Sequence, residues 1–349
     1  MANLSPLQRA SLLAVAAAFV LAAVAHGERF APVPQFLLAA LALAGLAWVL
    51  SFSTDEVGEH LGAPVTGFLH ATVGNLPELL VIVFALGANE LIVAETAIVG
   101  SLLANALLLL GIVILVGSAR SKGGRMRFAK GLPRDTVTLL LVMLFAIVLS
   151  SRSLGLAPRT TQPRTVSIVA AACLLVVYGA WIARSVFDRG GVASTGLARL
   201  PLAGSLLLLL LAGVASGFVS AWFVDALRPA ILRLHLSKAF AGLVIVAIAG
   251  NAVEHASSVV LSAQGKFDLA ISVVKSSVAQ IAAFLYPALV LISLLLPTAL
   301  TFSLQPVYIG ALGLMTLIVW QVAGDGEASA FEGLALISIY VIVAVLAAL

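Results

Sequence analysis

Residues 74–79 read Gly-Asn-Leu-Pro-Glu-Leu, and residues 250–255 read Gly-Asn-Ala-Val-Glu-His. Each copy of this Gly-Asn-x-x-Glu phrase lies inside a long apolar stretch of the chain. A carboxylate near the centre of a bilayer costs about 2.5–3.5 kcal/mol on insertion scales, so it is rarely placed there without a function. Two copies of the phrase, 176 positions apart, predict a duplicated ion site within a membrane protein.

The composition around the two phrases excludes a soluble globular domain. Of 349 residues, 62% are hydrophobic and only 10% are charged, and the mean hydropathy is +1.17. Apolar runs of roughly 18 or more residues recur, each long enough to cross about 30 Å of hydrocarbon as a helix. The formal charge of +4 indicates basic loops at an anionic membrane surface and not nucleic acid, because no basic segment is interleaved with aromatic residues. The single cysteine, Cys173, excludes an intrachain disulfide.

The hydropathy pattern predicts an all-α polytopic membrane protein with about eleven transmembrane helices. Their expected positions are 11–25, 34–52, 62–87, 91–116, 136–151, 166–184, 202–223, 239–263, 268–296, 303–323 and 331–348. The first segment has two interpretations, a retained helix or a signal peptide that ends at the small residues 23–25. We favour the retained helix, since a polytopic protein needs no separate export signal.

The distribution of Lys and Arg predicts the orientation of the chain. The densest basic cluster, at 120–134, follows the fourth helix, and placing it in the cytoplasm puts the N-terminus inside. The helix with Glu78 then runs outward and the helix with Glu254 runs inward, as expected for the inverted repeats of secondary transporters. The expected segments are an extra N-terminal helix at 1–33, a first five-helix repeat at 34–184, a linker at 185–200 and a second, inverted five-helix repeat at 201–349.

Spacing inside each repeat predicts that four helices bring oxygen ligands to one depth. Gly74 is 27 residues before Ser101, and Gly250 is 27 residues before Ser277. Each Glu and each Ser lie about ten residues, or roughly 15 Å of helix, from the polar turn between them, which is half the hydrocarbon thickness. The predicted ligands are carboxylates, amides and hydroxyls: Asn75, Glu78, Ser101, Asn105, Asn251, Glu254, Ser277 and Gln280. Hard cations such as Ca²⁺ prefer oxygen ligands, whereas Zn²⁺ and Cu⁺ sites use imidazole or sulfur.

Glycines and polar residues in membrane helices also have a packing interpretation. Glycines let helices approach closely, and polar side chains join helices by hydrogen bonds. That interpretation suffices for Gly45 and Gly111, but duplication with preserved spacing favours a binding role for the predicted ligands. Gly74, Gly250 and Pro77 are expected to open the helix locally and free backbone carbonyls.

The two blocks resemble the cation/proton exchanger (CAX) family of the calcium/cation antiporter superfamily. The residues that carry the resemblance are 70–78 (His-Ala-Thr-Val-Gly-Asn-Leu-Pro-Glu), 100–105 (Gly-Ser-Leu-Leu-Ala-Asn), 249–255 (Ala-Gly-Asn-Ala-Val-Glu-His) and 276–280 (Ser-Ser-Val-Ala-Gln). The resemblance implies that Glu78 and Glu254 bind the cation and exchange it for protons, with the other six residues completing the site. It also implies a first helix ahead of two five-helix repeats.

Two residues near the second phrase have open roles. Lys275 stands where the family usually has an apolar residue, and it either pairs with Glu254 or Glu78, replaces one bound cation, or lies in a watery cavity without a role in exchange. His255 either tunes proton affinity beside Glu254, because its unperturbed pKa is about 6.5, or packs as a hydrogen-bonded residue. The remaining polar groups near helix ends are expected to face water: Asp55, Glu56, Glu59, His60, Glu90, Asp225, Asp325 and Glu327.

The expected function is cation/proton antiport, for Ca²⁺ or a similar cation, in a bacterial inner membrane. The expected partners are inorganic cations, protons and the lipid bilayer, with no cofactor besides the transported ion. A second expectation keeps the site but exchanges Na⁺ or K⁺, with Lys275 cancelling one negative charge. A passive cation channel is a third. An intramembrane enzyme is the weakest, because the chain has neither His-Glu-x-x-His nor Gly-x-Ser-x-Gly.

Overall fold

The computed structural model describes residues 4–62, 69–70, 72–121, 123–129, 132–151, 163–188 and 198–349, and excludes the side chains of 132–134 and 185–188. Most of the predicted linker at 185–200 lies outside the described residues, as does 63–68 at the expected start of the third helix. The same holds for several basic residues of the expected loops: Lys122, Lys130, Arg152, Arg159 and Arg189.

Nearly all of the described residues are helical. In chain order the helices are α1 (Pro6–Gly27), α2 (Pro32–Leu61), α3 (Leu76–Gly87), α4 (Leu91–Arg120), α5 (Leu132–Ser150), α6 (Pro163–Asp188), α7 (Leu202–Leu234), α8 (Lys238–Gly250), α9 (Ala252–Ala263), α10 (Phe267–Leu295), α11 (Pro306–Ala323) and α12 (Ala330–Ala348). Both α1 and α12 begin with a capping box, formed by Ser5 with Gln8 and by Ser329 with Glu332.

The predicted all-α polytopic membrane fold is confirmed, but the number of eleven spans is not. Among the described residues, eight helices are long and apolar enough to cross a membrane, and the bent pair of α8 and α9 is a possible ninth span. Two further apolar helices are shorter, α3 and the Asp135–Ser150 part of α5. The helix α3 is short because the chain forms a turn at Gly74 and Asn75 before it.

Two helices extend well beyond their predicted ends, α2 to Leu61 and α7 to Leu234. The polar end of α2 stays helical because the carboxylate of Glu56 is hydrogen-bonded to backbone N–H groups. Glu56 is only 4% exposed, and it accepts hydrogen bonds from the backbone N–H groups of Arg199 at 2.7 Å and Leu200 at 3.0 Å. The expectation that Glu56 faces water is therefore wrong.

Glu90 is a second predicted surface residue that the fold buries. It lies directly before α4 and is 8% exposed. Its Oε2 is 2.6 Å from Nζ of Lys238, at the start of α8. An ion pair of this kind compensates for the cost of removing a carboxylate from water. The expectation of a water-facing Glu90 is also wrong.

The described residues form two compact units, Met1–Ala88 with Gly179–Leu236, and Asn89–Tyr178 with Ser237–Leu349. Each unit draws helices from both halves of the sequence. The predicted repeat boundaries describe internal sequence duplication, and they stay a prediction.

In the first unit, α2 packs along α7, and α1 and α3 also contact α7. The ring of Phe36 on α2 lies 4.7 Å from the ring of Phe223 on α7, measured between centroids. Phe19 and His26 of α1 both contact Trp222 of α7. Aromatic contacts between α7 and its neighbours thus contribute to the packing of this unit.

In the second unit, α4 is central and approaches α8 and α12 through glycines. A Cβ at Gly242 of α8 would lie 2.6 Å from the carbonyl oxygen of Val93 on α4. A Cβ at Gly111 of α4 would lie 2.7 Å from the carbonyl oxygen of Gly333 on α12, and the reverse distance is 2.8 Å. Such approach of backbones is the usual role of glycine between membrane helices. The packing interpretation of Gly111 is confirmed.

A short two-stranded ladder, which the sequence did not predict, joins two loops of the second unit. Strand β1 (Arg125–Arg127) pairs antiparallel with β2 (Glu327–Ser329). Glu327 binds Arg125 at 2.6 Å and Arg127 at 3.3 Å. The pairing brings together the loop before α5 and the loop before α12. The predicted orientation likewise places both loops on the same side of the membrane.

Candidate cation site

Both copies of the Gly-Asn-x-x-Glu phrase interrupt a helix, as the glycines and Pro77 predicted. The helix α3 begins directly after Asn75, and α8 and α9 meet at Asn251 with a bend of 60°. The backbone of Asn75 (φ −94°, ψ 16°) is nearly the same as that of Asn251 (φ −108°, ψ 16°). The duplication therefore extends from the sequence to the local backbone.

Each predicted carboxylate is the third residue of the helix that follows the break, Glu78 in α3 and Glu254 in α9. The first N–H groups of a helix have no partner within the helix, and the helix dipole places partial positive charge at this end. Negative charge in the first turn is stabilised by up to ~2 kcal/mol in partly buried geometries. The breaks thus give each Glu a place where it can be ionised inside an apolar bundle.

An amide network in the second unit joins three of the predicted ligands. Asn251 donates through Nδ2 to Ser101 Oγ at 3.2 Å and to the carbonyl oxygen of Ala247 at 2.9 Å. Asn105 donates through Nδ2 to Asn251 Oδ1 at 3.1 Å and to the carbonyl oxygen of Ser101 at 2.9 Å. These bonds link α4 to the break between α8 and α9 and fix the orientation of both amides.

Two buried oxygens of the predicted set remain open to a ligand. Within the described ranges, Asn105 Oδ1 and Ser277 Oγ have no hydrogen-bond partner. Asn105 is 0% exposed and Ser277 is 3% exposed. Buried polar atoms in native proteins are almost always satisfied, so each exception calls for an ion, a water or a functional reason. Both atoms are of the type that a hard cation binds.

The helices that carry these oxygens contain π-helical segments at equivalent positions. In α4 the segment is Ala104–Leu109, and in α10 it is Ile281–Leu285. Adding the repeat offset of 176 to the first segment gives 280–285. Single π-helical turns inside α-helices occur frequently at functional sites. This duplicated feature was not predicted from the sequence.

The other predicted site residues are buried or half-buried. In the first unit, Asn75 is 3% exposed and Glu78 is 0% exposed. In the second unit, Glu254, His255 and Gln280 are half-buried, on α9 and at the end of the regular part of α10. The binding of one cation by both carboxylates stays a prediction.

Lys275 of α10 forms an ion pair that the sequence analysis did not consider. Its Nζ is 3.9 Å from Asp135 Oδ2, and Thr136 donates to the carbonyl oxygen of Lys275 at 3.4 Å. Asp135 lies in the first turn of α5, and its side chain is 52% exposed, against 14% for Lys275. The expected pairing of Lys275 with Glu254 or Glu78 stays a prediction.

Other polar residues inside the spans were missed from the sequence. Glu95 is half-buried in α4, and Ser258 and Ser262 of α9 are fully buried. A charged residue inside an apolar run is itself a signal for a functional position. A position-by-position comparison of the two repeats would have shown that Ser258 and Ser262 stand where the first repeat has Ile82 and Leu86.

Helices that cross a membrane and break next to carboxylates and buried amides define a class of integral membrane protein that transports ions. The chain belongs to the sodium/calcium exchanger protein family, which matches residues 32–187 and 204–349.

Similar proteins extend over nearly the whole chain. A Ca(2+)/H(+) antiporter of Synechocystis sp. is 29% identical over 349 residues, which cover 92% of each chain. The vacuolar cation/proton exchanger 1a of Oryza sativa subsp. japonica is 27% identical over 369 residues, which cover 98% of this chain and 81% of the relative. The solved structure of native YfkE matches with a TM-score of 0.82 at 25% identity, covering 97% of this chain and 99% of that chain. The resemblance to cation/proton exchangers is confirmed.

Proposed function

We propose that this protein is a secondary-active antiporter that exchanges Ca²⁺ for protons across a bacterial inner membrane. Relatives named as a Ca(2+)/H(+) antiporter and a vacuolar cation/proton exchanger support this pair of ions. The observation that carries the proposal is the duplicated helix break, which puts a Glu at the third position of α3 and of α9. A carboxylate held at a helix start within a membrane can exchange a metal ion for a proton.

Each predicted ligand has a role in this proposal. Glu78 and Glu254 bind either the cation or protons, and His255 assists proton coupling beside Glu254. Ca²⁺ takes about six to eight oxygen ligands, so two carboxylates need neutral oxygens beside them. We assign these to Asn75, Asn251, Ser101, Asn105, Ser277 and Gln280. No covalent bond is made or broken, and no cofactor is needed besides the transported ion.

Coupling follows from competition for the same carboxylates. Two ionised carboxylates in a low-dielectric environment attract a divalent cation and repel each other. After the cation leaves, repulsion and desolvation favour protonation, so protons take its place. A site with neither cation nor protons carries too much charge to reorient across the membrane. Alternating exposure of the loaded site to the two sides of the membrane then couples the flux of the cation to an opposite flux of protons.

The test is Ca²⁺ uptake into proteoliposomes that contain the full chain, under an imposed pH gradient. Replacing Glu78→Gln or Glu254→Gln keeps the side-chain shape and removes the charge. We expect each change to lower uptake about 100-fold or more, which corresponds to roughly 3 kcal/mol. Glu28→Gln is the matched control, because Glu28 is exposed at the end of α1.

Each alternative has its own signature in this assay. Full activity in the protein with both Gln substitutions would refute the carboxylate mechanism. Ca²⁺ flux that follows its own gradient, with no proton counterflow, would show a passive channel. Proton-coupled uptake of Na⁺ or K⁺ in place of Ca²⁺, measured with a panel of ions, would show the monovalent exchanger.

A further inference from the structure

One face of α9 carries a line of polar side chains that begins at His255 and continues beyond the residues of the proposed exchange. Ser262 follows Ser258 by four positions, and Ser258 follows His255 by three, so the three side chains share one face of the helix. Ser258 and Ser262 are both 0% exposed. A buried polar line along a membrane helix needs an explanation.

The hydrogen bonds along this face are incomplete. Ser262 Oγ donates to the carbonyl oxygen of Val113 on α4 at 2.7 Å. Ser258 Oγ and His255 Nε2 are shielded from solvent, and in the part of the chain that the structure describes they have no hydrogen-bond partner. Buried polar atoms are nearly always paired, and bound water is a common partner. This face of α9 is therefore suited to hold water.

The corresponding helix of the first repeat shows that packing does not require these polar groups. Subtracting the repeat offset of 176 places Leu79, Ile82 and Leu86 of α3 opposite His255, Ser258 and Ser262 in the alignment. Ile82 and Leu86 are also fully buried. At these two positions the first repeat buries alkyl groups, whereas the second buries the hydroxyls of Ser258 and Ser262.

We propose that His255, Ser258 and Ser262 line a hydrated proton route from the neighbourhood of Glu254 to the turn after α9; this inference rests on the proposed exchange. The seven positions from His255 to Ser262 cover about 10 Å of helix. The helix ends one residue after Ser262. Gly117 lets α4 pack closely at the end of this face, because a Cβ there would lie 2.5 Å from Met126 Sδ and 3.0 Å from Ser262 Oγ.

The chemistry of the face selects protons over Ca²⁺. A hydroxyl donates one hydrogen bond and accepts two, so Ser258 can accept a proton from one water and release its own to the next. The hydrogen of Ser262 is held by the carbonyl oxygen of Val113, so Ser262 orients a water of the route by accepting a hydrogen bond from it. One proton moves along this row of waters and hydroxyls. No side chain, including the imidazole of His255, has a different charge afterwards. Two hydroxyls and one imidazole cannot replace the six to eight or so oxygen ligands that Ca²⁺ requires.

Three charged groups on the helices packed against α9 have partners of their own. Arg120 of α4 donates to the carbonyl oxygen of Ala263 at 2.9 Å. On α10, Asp268 accepts from the backbone N–H of Ala129 at 2.8 Å, and Lys275 pairs with Asp135. The proposed route uses none of these charges.

The test compares two fluxes of the full chain in proteoliposomes. One is Ca²⁺/H⁺ exchange, followed with a pH-sensitive dye. The other is exchange of radioactive for unlabelled Ca²⁺ at equal concentrations, which moves no net protons. We expect the protein with both Ser258→Ala and Ser262→Ala to lose about tenfold in the first flux and to stay within about twofold in the second. Ser257→Ala is the control, since Ser257 lies on the exposed face of α9.

The remaining outcomes decide against the route. An equal fall of both fluxes would show that the serines serve only the structure, and two unchanged fluxes would show that protons travel elsewhere. Ser258→Thr retains the hydroxyl and is expected to keep both fluxes, whereas a selective loss of proton exchange in it would also overturn the proposal. If the unsubstituted protein exchanges no protons for Ca²⁺, the proposed function itself fails, and the route fails with it.

Discussion

The helices α3 and α9 begin alike and then differ. Each has twelve residues, follows an Asn of nearly identical backbone geometry, and has Glu at its third position. Beyond the first turn, α3 buries only apolar side chains, those of Val81, Ile82, Ala85 and Leu86. In contrast, α9 buries Ser258 and Ser262.

This difference separates what the duplication must preserve from what each repeat can change. The helix start holds a charge inside the membrane, and that task requires the same break and the same carboxylate in both repeats. The rest of each helix responds to its own neighbours. We infer that α3 is adapted to dry packing, and that α9 is adapted to contact with water.

The largest expected effect tests the shared part of the comparison. Asn251→Leu removes the amide that accepts from Asn105 and donates to Ser101. Leaving buried polar groups unsatisfied costs about 1–3 kcal/mol, so we expect Ca²⁺ affinity to fall about 10- to 100-fold. Asn75→Leu, directly before α3, is expected to cause a similar loss. Calorimetric titration of the purified protein with Ca²⁺ measures both.

The control for these changes is Gln264→Leu, because Gln264 is an exposed amide at the end of α9. An unchanged Ca²⁺ affinity in Asn251→Leu would show that the amide network has no part in binding. A loss in only one of the two Asn variants would show that the repeats contribute unequally.

The second prediction makes α3 resemble α9. Ile82→Ser introduces the side chain that α9 has at the equivalent position, Ser258. Ile82 is 0% exposed. We expect the unfolding free energy to fall by about 2 kcal/mol, because packed contacts are lost and a hydroxyl enters a dry environment. Thermal unfolding in detergent measures the change. Ile92→Ser is the control, since Ile92 of α4 is 47% exposed. Unchanged stability in Ile82→Ser would mean that α3 tolerates polar groups as α9 does.

The third prediction tests whether proline is needed for the break. Pro77 is the second residue of α3, and Val253 is the second residue of α9. Because α9 breaks without a proline, we expect Pro77→Val to retain Ca²⁺ affinity and to lose only about 0.4–1 kcal/mol of stability through the freer unfolded chain. A strong loss of affinity in the same titration would show that α3 depends on Pro77 for its start.

The smallest effect concerns Lys275, for which the first repeat has Val99. In its ion pair with Asp135, the Asp135 side chain is 52% exposed. Exposed ion pairs contribute about 0–1 kcal/mol. We expect Lys275→Val to leave the preference for Ca²⁺ over Na⁺ and K⁺ within about twofold. We expect the same small effect on this preference from Asp135→Asn. A clear gain in divalent selectivity in Lys275→Val alone would instead support the monovalent exchanger.

Much of this molecule could be predicted because membrane insertion depends on local sequence. Apolar runs identified the long helices, and the phrases around Glu78 and Glu254 predicted the breaks. The count of eleven spans stays unconfirmed among the described residues, because the run that contains Gly74 and Asn75 has the hydropathy of one helix but turns at these two residues. Hydropathy reports transfer into lipid, and it does not report where a backbone turns.

The missed features share a different cause. Glu56 is buried by backbone N–H groups about 140 positions away, and Glu90 by Lys238. The ladder between β1 and β2 likewise joins segments about 200 residues apart. Polar groups are satisfied by whatever neighbour the fold supplies, and single-sequence patterns do not identify that neighbour.

The sequence by itself determined a helical membrane protein with a duplicated acidic phrase, because the cost of charge in lipid and the flexibility of glycine act on each segment alone. Only the tertiary structure decided that Asn105 and Asn251 orient each other, that Lys275 reaches Asp135, and that Ser262 of α9 lies buried against α4. Those outcomes depend on which helices meet, and hydrogen bonds between helices form only after the helices have packed.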